Sequence, residues 1–241
     1  MQRQCMPRFF AMTDVEKITP LHPEYKEQVQ AYFHRLFPWR QWQVVPDSKD
    51  NPLPVDVEVL YPTAEEPFYL LHTMGMSAAS MHCPGSTLPQ DKDRYSELSL
   101  ILPADWPFRP HRPISLADPA GWPLWLLMEL GRFPHVHHLW MAYGFVLANT
   151  EQHTPFSSNA PFSGVTIVQF DGELGEIPMQ DGKKIDLLMP VLLYTEELAL
   201  CDSIGVDAVV EQIIEETDGS FALDVSRKNI ASRDYTEKIL Y

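Results

Sequence analysis

The chain has 241 residues, of which 33 are acidic and 18 are basic, so its formal net charge is −15. This excess of negative charge disfavours generic binding to nucleic acid or to an anionic membrane. With 45% hydrophobic and 21% charged residues, the composition is that of a folded protein, and the length allows one large domain or two small ones.

The first elements in chain order are a helix and three strands. Residues 22–37 place apolar side chains on one helical face, and Pro38 ends the helix. Residues 55–59 alternate apolar and acidic side chains, as in a strand with one buried face. Residues 68–73 and 96–102 are predicted to form two more strands.

The middle of the chain is rich in proline. Recurrent prolines between Trp106 and Pro123 remove backbone donors and predict an irregular loop. Pro123 then suits the start of a helix that reaches about Phe133. Residues 143–148 and 164–170 have the composition of further strands.

The last third combines an apolar run with two helices. The apolar run over residues 186–194 is interrupted by Pro190, which indicates an edge strand or a bulge. A helix is predicted to begin at Thr195 and to stop at Gly205, and residues 206–214 carry the apolar spacing of another helix.

These elements are spread over the whole chain without a repeat or a flexible linker. We therefore predict an α/β (α+β) fold, with a mixed β-sheet flanked by helices in a single domain over residues 19–241. Residues 1–18 are expected to be a disordered or extended leader, and either Met1 or Met12 could be the true start.

The sequence also bears on location. No apolar run reaches the ~20 residues of a membrane-spanning helix, and residues 1–10 lack the apolar core of a secretory signal. The three cysteines, Cys5, Cys83 and Cys201, are widely spaced and form no CxxC pair. Neither a disulfide framework nor a zinc site is indicated, and a reducing cytoplasm fits best.

Two groups of residues could support hydrolysis. The segment 75–79, Gly-Met-Ser-Ala-Ala, resembles a nucleophile elbow after a predicted strand, but His82 to Gly85 break the chain where that motif requires a long helix. A strand end and a turn is the expected alternative for Ser77. Asp56 and Glu58 share one strand face and could form an acid–base pair, although a solvated charged face explains them as well.

No cofactor is expected. His135, His137 and His138 are close in sequence, but their spacing is poor for joint metal ligation on a helix, so a loop packed against aromatic side chains is favoured. Neither GxGxxG nor GxxxxGK[ST] occurs. The six tryptophans lie among prolines and could line a groove for a partner, with core packing as the alternative; they are Trp39, Trp42, Trp106, Trp122, Trp125 and Trp140.

Several short motifs follow one another between about residues 20 and 230, and some contain three or more residues. They are His22-Pro23 with Phe37-Pro38, Val55-Asp56-Val57, Thr73-Met74-Gly75-Met76-Ser77, Tyr95-Ser96-Glu97-Leu98, Leu102-Pro103-Ala104-Asp105-Trp106, Trp122-Pro123 with Phe133-Pro134-His135, Gly144, Pro161-Phe162-Ser163-Gly164-Val165, Leu192-Leu193-Tyr194-Thr195-Glu196-Glu197-Leu198 and Asp224-Val225-Ser226-Arg227. Together these motifs resemble the Suppressor of fused family.

The resemblance implies a protein-binding domain and no catalysed reaction. Animal members are similar to this chain only in their amino-terminal half, and they bind zinc-finger transcription factors in a cleft formed with a second domain, so that role does not carry over. Their peptide-contacting loop corresponds loosely to Cys83 through Asp93. Single-domain bacterial members are associated with toxin systems, where an immunity protein binds and neutralises a toxin.

The distribution of charge fits such a role. Residues 171–241 carry 16 acidic and 6 basic residues, which is −10 of the total −15, and an acidic face would steer a basic toxin to the protein. A hydrolase and a housekeeping adaptor remain the alternative functions, and the oligomeric state is left open. The candidate partner-binding residues are Met74, Gly75, Met76, Ser77, Glu97, Trp106, Glu196 and Glu197, with a structural role in the motifs as the competing interpretation.

Overall fold

An eight-stranded mixed sheet forms the centre of the computed structural model, which describes residues 16–83, 93–109 and 112–232. Most of the leader predicted for residues 1–18, and residues 84–92 of the loop from Cys83 to Asp93, lie outside the described residues. The strands are β1 (Trp42–Val45), β2 (Asp56–Leu60), β3 (Phe68–Met74), β4 (Met81–His82), β5 (Asp93–Arg94), β6 (Ser96–Pro103), β7 (Val146–Ala148), β8 (Gly164–Gln169), β9 (Glu176–Pro178) and β10 (Lys184–Leu193). The helices are α1 (Tyr25–Leu36), α2 (Trp122–Val136), α3 (Thr195–Ile204) and α4 (Val206–Glu216).

The strand order in the main sheet is β1-β2-β3-β6-β10-β8-β7, with β9 paired to β10. Strands β10 and β6 run parallel over a short register, and the other strand pairs of this sheet are antiparallel. A small second sheet joins β4 to β5. The predicted mixed sheet with flanking helices is therefore confirmed.

Both faces of the sheet are covered. Helix α2 packs on one face, where Leu124 and Leu127 meet Val57 and Val59 in the largest apolar core. Helix α1 packs on the opposite face against the neighbouring strands. Helices α3 and α4 close a smaller core against β10. Because both sheet faces are buried, the central strands show almost no exposed positions.

The expectation that Asp56 and Glu58 lie on a solvated face is wrong. Glu58 is 0% exposed and Asp56 is 9% exposed, because α1 covers this face of β2. Lys26, Gln30 and His34 stand four residues apart on α1 and contact the two carboxylates. A four-residue helical step of ~6 Å matches a two-residue strand step of ~6.6 Å, so the polar side chains of both elements meet in register.

The expectation that Pro190 marks an edge strand or a bulge is also wrong. Strand β10 lies between β6 and β8, and Pro190 pairs with Ile167 of β8. The backbone N–H of Ile167 donates to Phe145 O on the other side, so Pro190 turns its nitrogen towards β6. Strand β6 pairs with β10 only over Asp186–Leu188 and has diverged by that point. The N–H that proline lacks would therefore have had no partner strand to donate to at this position.

Other boundaries shift by a few residues. Helix α1 begins at Tyr25, and α2 extends to Val136 with Pro134 inside it. The strand predicted over residues 143–148 is confined to Val146–Ala148. Gly205 separates α3 from α4 with a φ of 88°, as expected of a helix stop. No helix of the described part of the chain is long and apolar enough to span a membrane.

Candidate functional site

Four of the eight candidate residues gather around a fifth, the buried carboxylate of Glu97. Glu97 on β6 is 0% exposed and accepts hydrogen bonds from the backbone N–H of Gly75 (2.9 Å) and of Ser77 (3.0 Å). The hydroxyls of Ser77 (2.6 Å) and Thr73 (2.5 Å) also donate to it. Met74 and Met76 flank this turn and are 1% and 0% exposed. Glu97 thus holds the chain where β3 ends, and we call this arrangement the Glu97 turn.

The Glu97 turn depends on glycine. Gly75 has a φ of +121°, a backbone conformation that glycine adopts far more readily than other residues. A Cβ at this position would come within 2.7 Å of Pro54 O. A short 3-10 turn over Met76–Ala78 follows, and no long helix does, as the sequence predicts. Ser77 is 0% exposed, so its hydroxyl is presented to Glu97 and not to solvent.

Asp56 and Glu58 likewise form hydrogen bonds with other side chains inside the protein. Glu58 contacts Nε2 of the fully buried His72 (2.9 Å), Nε2 of Gln30 (2.7 Å) and Nε2 of His34 (3.1 Å). Burial acts to raise the pKa of Glu58, but the hydrogen bonds and charges of these neighbours outweigh it, so the pKa is lowered. Asp56 accepts from Lys26. The arrangement stabilises α1 on the sheet.

Glu196 and Glu197 begin α3 and have different surroundings. Glu197 is 0% exposed and forms a two-oxygen ion pair with Arg227, at 2.7 Å and 2.5 Å. It also accepts from the backbone N–H of Tyr194 (2.9 Å) and Ile230 (3.0 Å), and so ties the end of the described chain to α3. Glu196 is exposed and accepts from Asn229.

Trp106 lines a groove of about 720 Å³. One wall comes from the proline-rich segments 103–107 and 118–122, and the other from residues 216–226, which follow α4. This volume is within the ~300–1,000 Å³ of known ligand pockets. We call this feature the α4 groove. It joins the proline-rich part of the chain to the acidic last third.

The second wall of the α4 groove contains none of the candidate residues predicted from the sequence. Glu216 and Asp218 end or follow a predicted helix and gave no motif, whereas Asp224 belongs to the motif Asp224-Val225-Ser226-Arg227 but was not among the candidate residues. A signal was present in the charge pattern, because residues 185–226 contain ten acidic residues and no Lys, Arg or His. Of the other tryptophans, Trp122 also lines the groove, whereas Trp39 and Trp42 are exposed elsewhere, at 61% and 51%.

The histidine group does not form a metal centre. His135 is buried in α2, and burial lowers its pKa to about 4, whereas His137 and His138 are exposed after the helix. Among the described residues no three His, Cys, Asp or Glu side chains gather as metal ligands. Burial raises the pKa of the Cys201 thiol to about 11, which disfavours a reactive thiolate.

Comparison with known proteins places this geometry in context. The family model described as Suppressor of fused protein (SUFU) matches residues 51–228. No curated protein sequence matches the chain.

Three solved structures share the fold, each at 14% sequence identity and a TM-score of 0.56. A SUFU homologue from Neisseria gonorrhoeae FA 1090 aligns over 86% of this chain and 96% of its own. A Sufu–Fu complex aligns over 88% and 92%, and Drosophila Suppressor of fused aligns over 88% of this chain but only 51% of its own. The chain therefore spans about half of the Drosophila protein.

Proposed function

The chain belongs to the Suppressor of fused family, and from this premise we propose that it acts by binding another protein. The observation that carries the proposal is the charge of residues 185–226, a segment that contains ten acidic residues and no basic residue. Five of these side chains are exposed on α3 and α4, namely Glu196, Asp202, Asp207, Glu211 and Glu215. A surface of this charge attracts a basic partner and accelerates its association.

One of the structures that share the fold is a complex, Sufu–Fu, so a relative of this fold is seen with a partner protein. For this chain we propose a basic toxin as the partner. The protein would then be a bacterial immunity protein that works in the cytoplasm, where it neutralises the toxin by covering it. No cofactor is needed for such a role.

A hydrolase is the second candidate, and the geometry favours it less. Ser77 is fully buried and donates to Glu97, with no histidine between them to act as a base. Glu58 is saturated with hydrogen bonds under α1. Labelling with a serine-directed fluorophosphonate would support the hydrolase if the label were lost in Ser77→Ala. We expect no label on Ser77 in the folded protein.

The binding proposal is tested by affinity capture of the tagged full chain from its native cells at low and high salt. We expect one basic protein to be retained at low salt and to be progressively lost as salt screens the charges. The purified partner should lose its toxic activity on adding one equivalent of this chain. Recovery of no basic partner, or of a partner whose retention ignores salt, would contradict the proposal. A capture without any effect on toxicity would favour a housekeeping adaptor.

A further inference from the structure

We propose that the α4 groove binds an extended, basic segment of a partner protein, with one apolar side chain seated on the groove floor and Lys or Arg side chains at its rim. This inference rests on the proposed function, because it names where the partner binds and by what chemistry.

The proline-rich wall of the groove is rigid before any partner arrives. The indole Nε1 of Trp106 donates to Ala120 O at 2.9 Å, which joins the two proline-rich segments. Asp118 caps a second short 3-10 turn, Pro119–Gly121, by accepting from Ala120 N at 3.2 Å. A Cβ on Gly121 would lie 2.5 Å from Ser115 O, so the turn is closely packed. A preformed wall keeps the entropic cost of binding low.

The second wall is also fixed in place. The hydroxyl of Thr217 donates to Ser220 O at 2.7 Å, and Gly219 turns the chain with a φ of 82°. Leu223 N then donates to Ile101 O at 2.8 Å, beside the stretch where β6 and β10 diverge. The buried side chain of Leu223 and the half-buried side chain of Val225 face the groove. An apolar side chain of a partner therefore finds apolar neighbours on both walls.

The rim of the groove is acidic. Five of its lining residues carry a carboxylate, and none is a Lys, Arg or His; the five are Asp105, Asp118, Glu216, Asp218 and Asp224. Arg109 pairs with Asp118 at 2.9 Å beside the groove, while Asp105 and Asp218 are exposed and form no ion pair within the described residues. Partner cations would supply the missing charge.

The end of α4 adds to the negative potential. A helix C-terminus carries a partial negative charge, which basic side chains normally balance. The last turn of α4 has no basic residue, and it is followed by Asp218. Lys or Arg of a partner at this position would interact favourably with both the helix end and the carboxylates.

The spacing of the carboxylates selects a polypeptide over a metal ion. No three acidic side chains of the described residues gather around one point, so the negative charges are distributed along the groove. Distributed carboxylates suit several cations carried along one chain. Nucleic acid is repelled by the same charges.

The experiment measures binding of fluorescein-labelled peptides to the full chain by fluorescence anisotropy. The probe is Lys-Arg-Leu-Arg-Lys; Lys-Arg-Ser-Arg-Lys lacks the apolar side chain, and Glu-Glu-Leu-Glu-Glu reverses the charge. The test variants are Asp105→Asn with Asp218→Asn, which removes two rim charges, and Asn159→Lys, which adds a cation at an exposed lining position. The matched control is Glu65→Gln with Glu151→Gln, which removes two exposed charges outside the groove lining.

We expect the leucine peptide to bind at low salt and the other two to bind more weakly. The double rim variant should lower the affinity about 3- to 10-fold, as two surface ion pairs predict, and Asn159→Lys should also lower it. The control should change it less than about 2-fold. Equal losses in control and rim variants, or no binding of the leucine peptide, would overturn the assignment of the groove.

Failure of the groove can be told apart from failure of the proposed function. If the native partner is captured equally well by the wild-type chain and by the double rim variant, protein binding stands and the partner docks elsewhere. If the native cells yield no basic partner at all, the proposed function itself fails.

Discussion

Glu97→Ala is expected to destabilise the protein by about 3–5 kcal/mol. The substitution leaves the buried N–H groups of Gly75 and Ser77 and two hydroxyl groups without their acceptor. A buried donor without an acceptor costs about 1–3 kcal/mol, and local relaxation recovers part of the sum. Glu97→Gln keeps the side-chain volume and one acceptor oxygen, so its loss should be about 1–2 kcal/mol. Both losses of unfolding free energy are measured by urea unfolding, with tryptophan fluorescence as the probe.

Glu196→Ala is the control for the same assay, because Glu196 is an exposed carboxylate that accepts one hydrogen bond from Asn229. Its effect should stay within about 0.5 kcal/mol. A loss below about 1 kcal/mol for Glu97→Ala would refute the reasoning that the Glu97 turn is a structural unit. A stable but inactive Glu97→Ala protein would instead point to a direct role of Glu97 in binding or catalysis.

Two further substitutions and one titration test the Glu97 turn, the Glu197–Arg227 ion pair and the burial of His135. Gly75→Ala should cost about 1–3 kcal/mol in urea unfolding, because φ is +121° and the new Cβ would meet Pro54 O; wild-type stability would show that the turn is not constrained. Arg227→Ala leaves Glu197 buried without its cation, so a loss of about 3–5 kcal/mol and a lower Tm are expected, whereas Arg227→Lys should lose less. His135 should titrate near pH 4 when followed by NMR. Because its pKa in the folded protein lies below the ordinary 6.5, the free energy of unfolding should fall by up to about 3 kcal/mol as the pH drops from 6.5 towards 4. Titration near pH 6.5 would contradict the burial of His135.

The order of elements in this fold could be predicted from local patterns. The strand predicted over residues 55–59 and the stop at Gly205 depend on neighbouring residues alone, and the structure has a strand and a helix stop at these places. The faces of the strands could not be predicted in the same way. Alternating acids on β2 indicate a solvated face unless something covers it, and the cover is α1, which comes from a distant part of the chain.

Pro190 shows the same limit. Its missing N–H excludes a fully paired central position, but the divergence of β6 from β10 creates a central position where no donor is needed. Beyond the divergence Ala222 and Leu223 pair with Ile101 of β6, which is a tertiary contact between distant parts of the chain. The proline therefore indicated an edge strand, whereas β10 is a central strand that is unpaired on one side at Pro190.

The candidate site was predictable only in part. The family motifs drew attention to Gly75, Ser77 and Glu97, and these residues are close together, but inside the protein. A motif can be required for folding or for function, and its sequence pattern alone does not say which of these it serves. The α4 groove could not be predicted, because it joins Trp106 to a turn more than 100 residues later.

The most direct test of protein binding through acidic residues is quantitative affinity capture from the native cells. It compares the wild-type chain with the Asp105→Asn/Asp218→Asn variant and the Glu65→Gln/Glu151→Gln control. We expect the wild-type chain and the control to retain the same basic protein at low salt and to release it at high salt, and we expect the rim variant to retain less of it. If none of the three retains a basic protein at low salt, the central claim is contradicted.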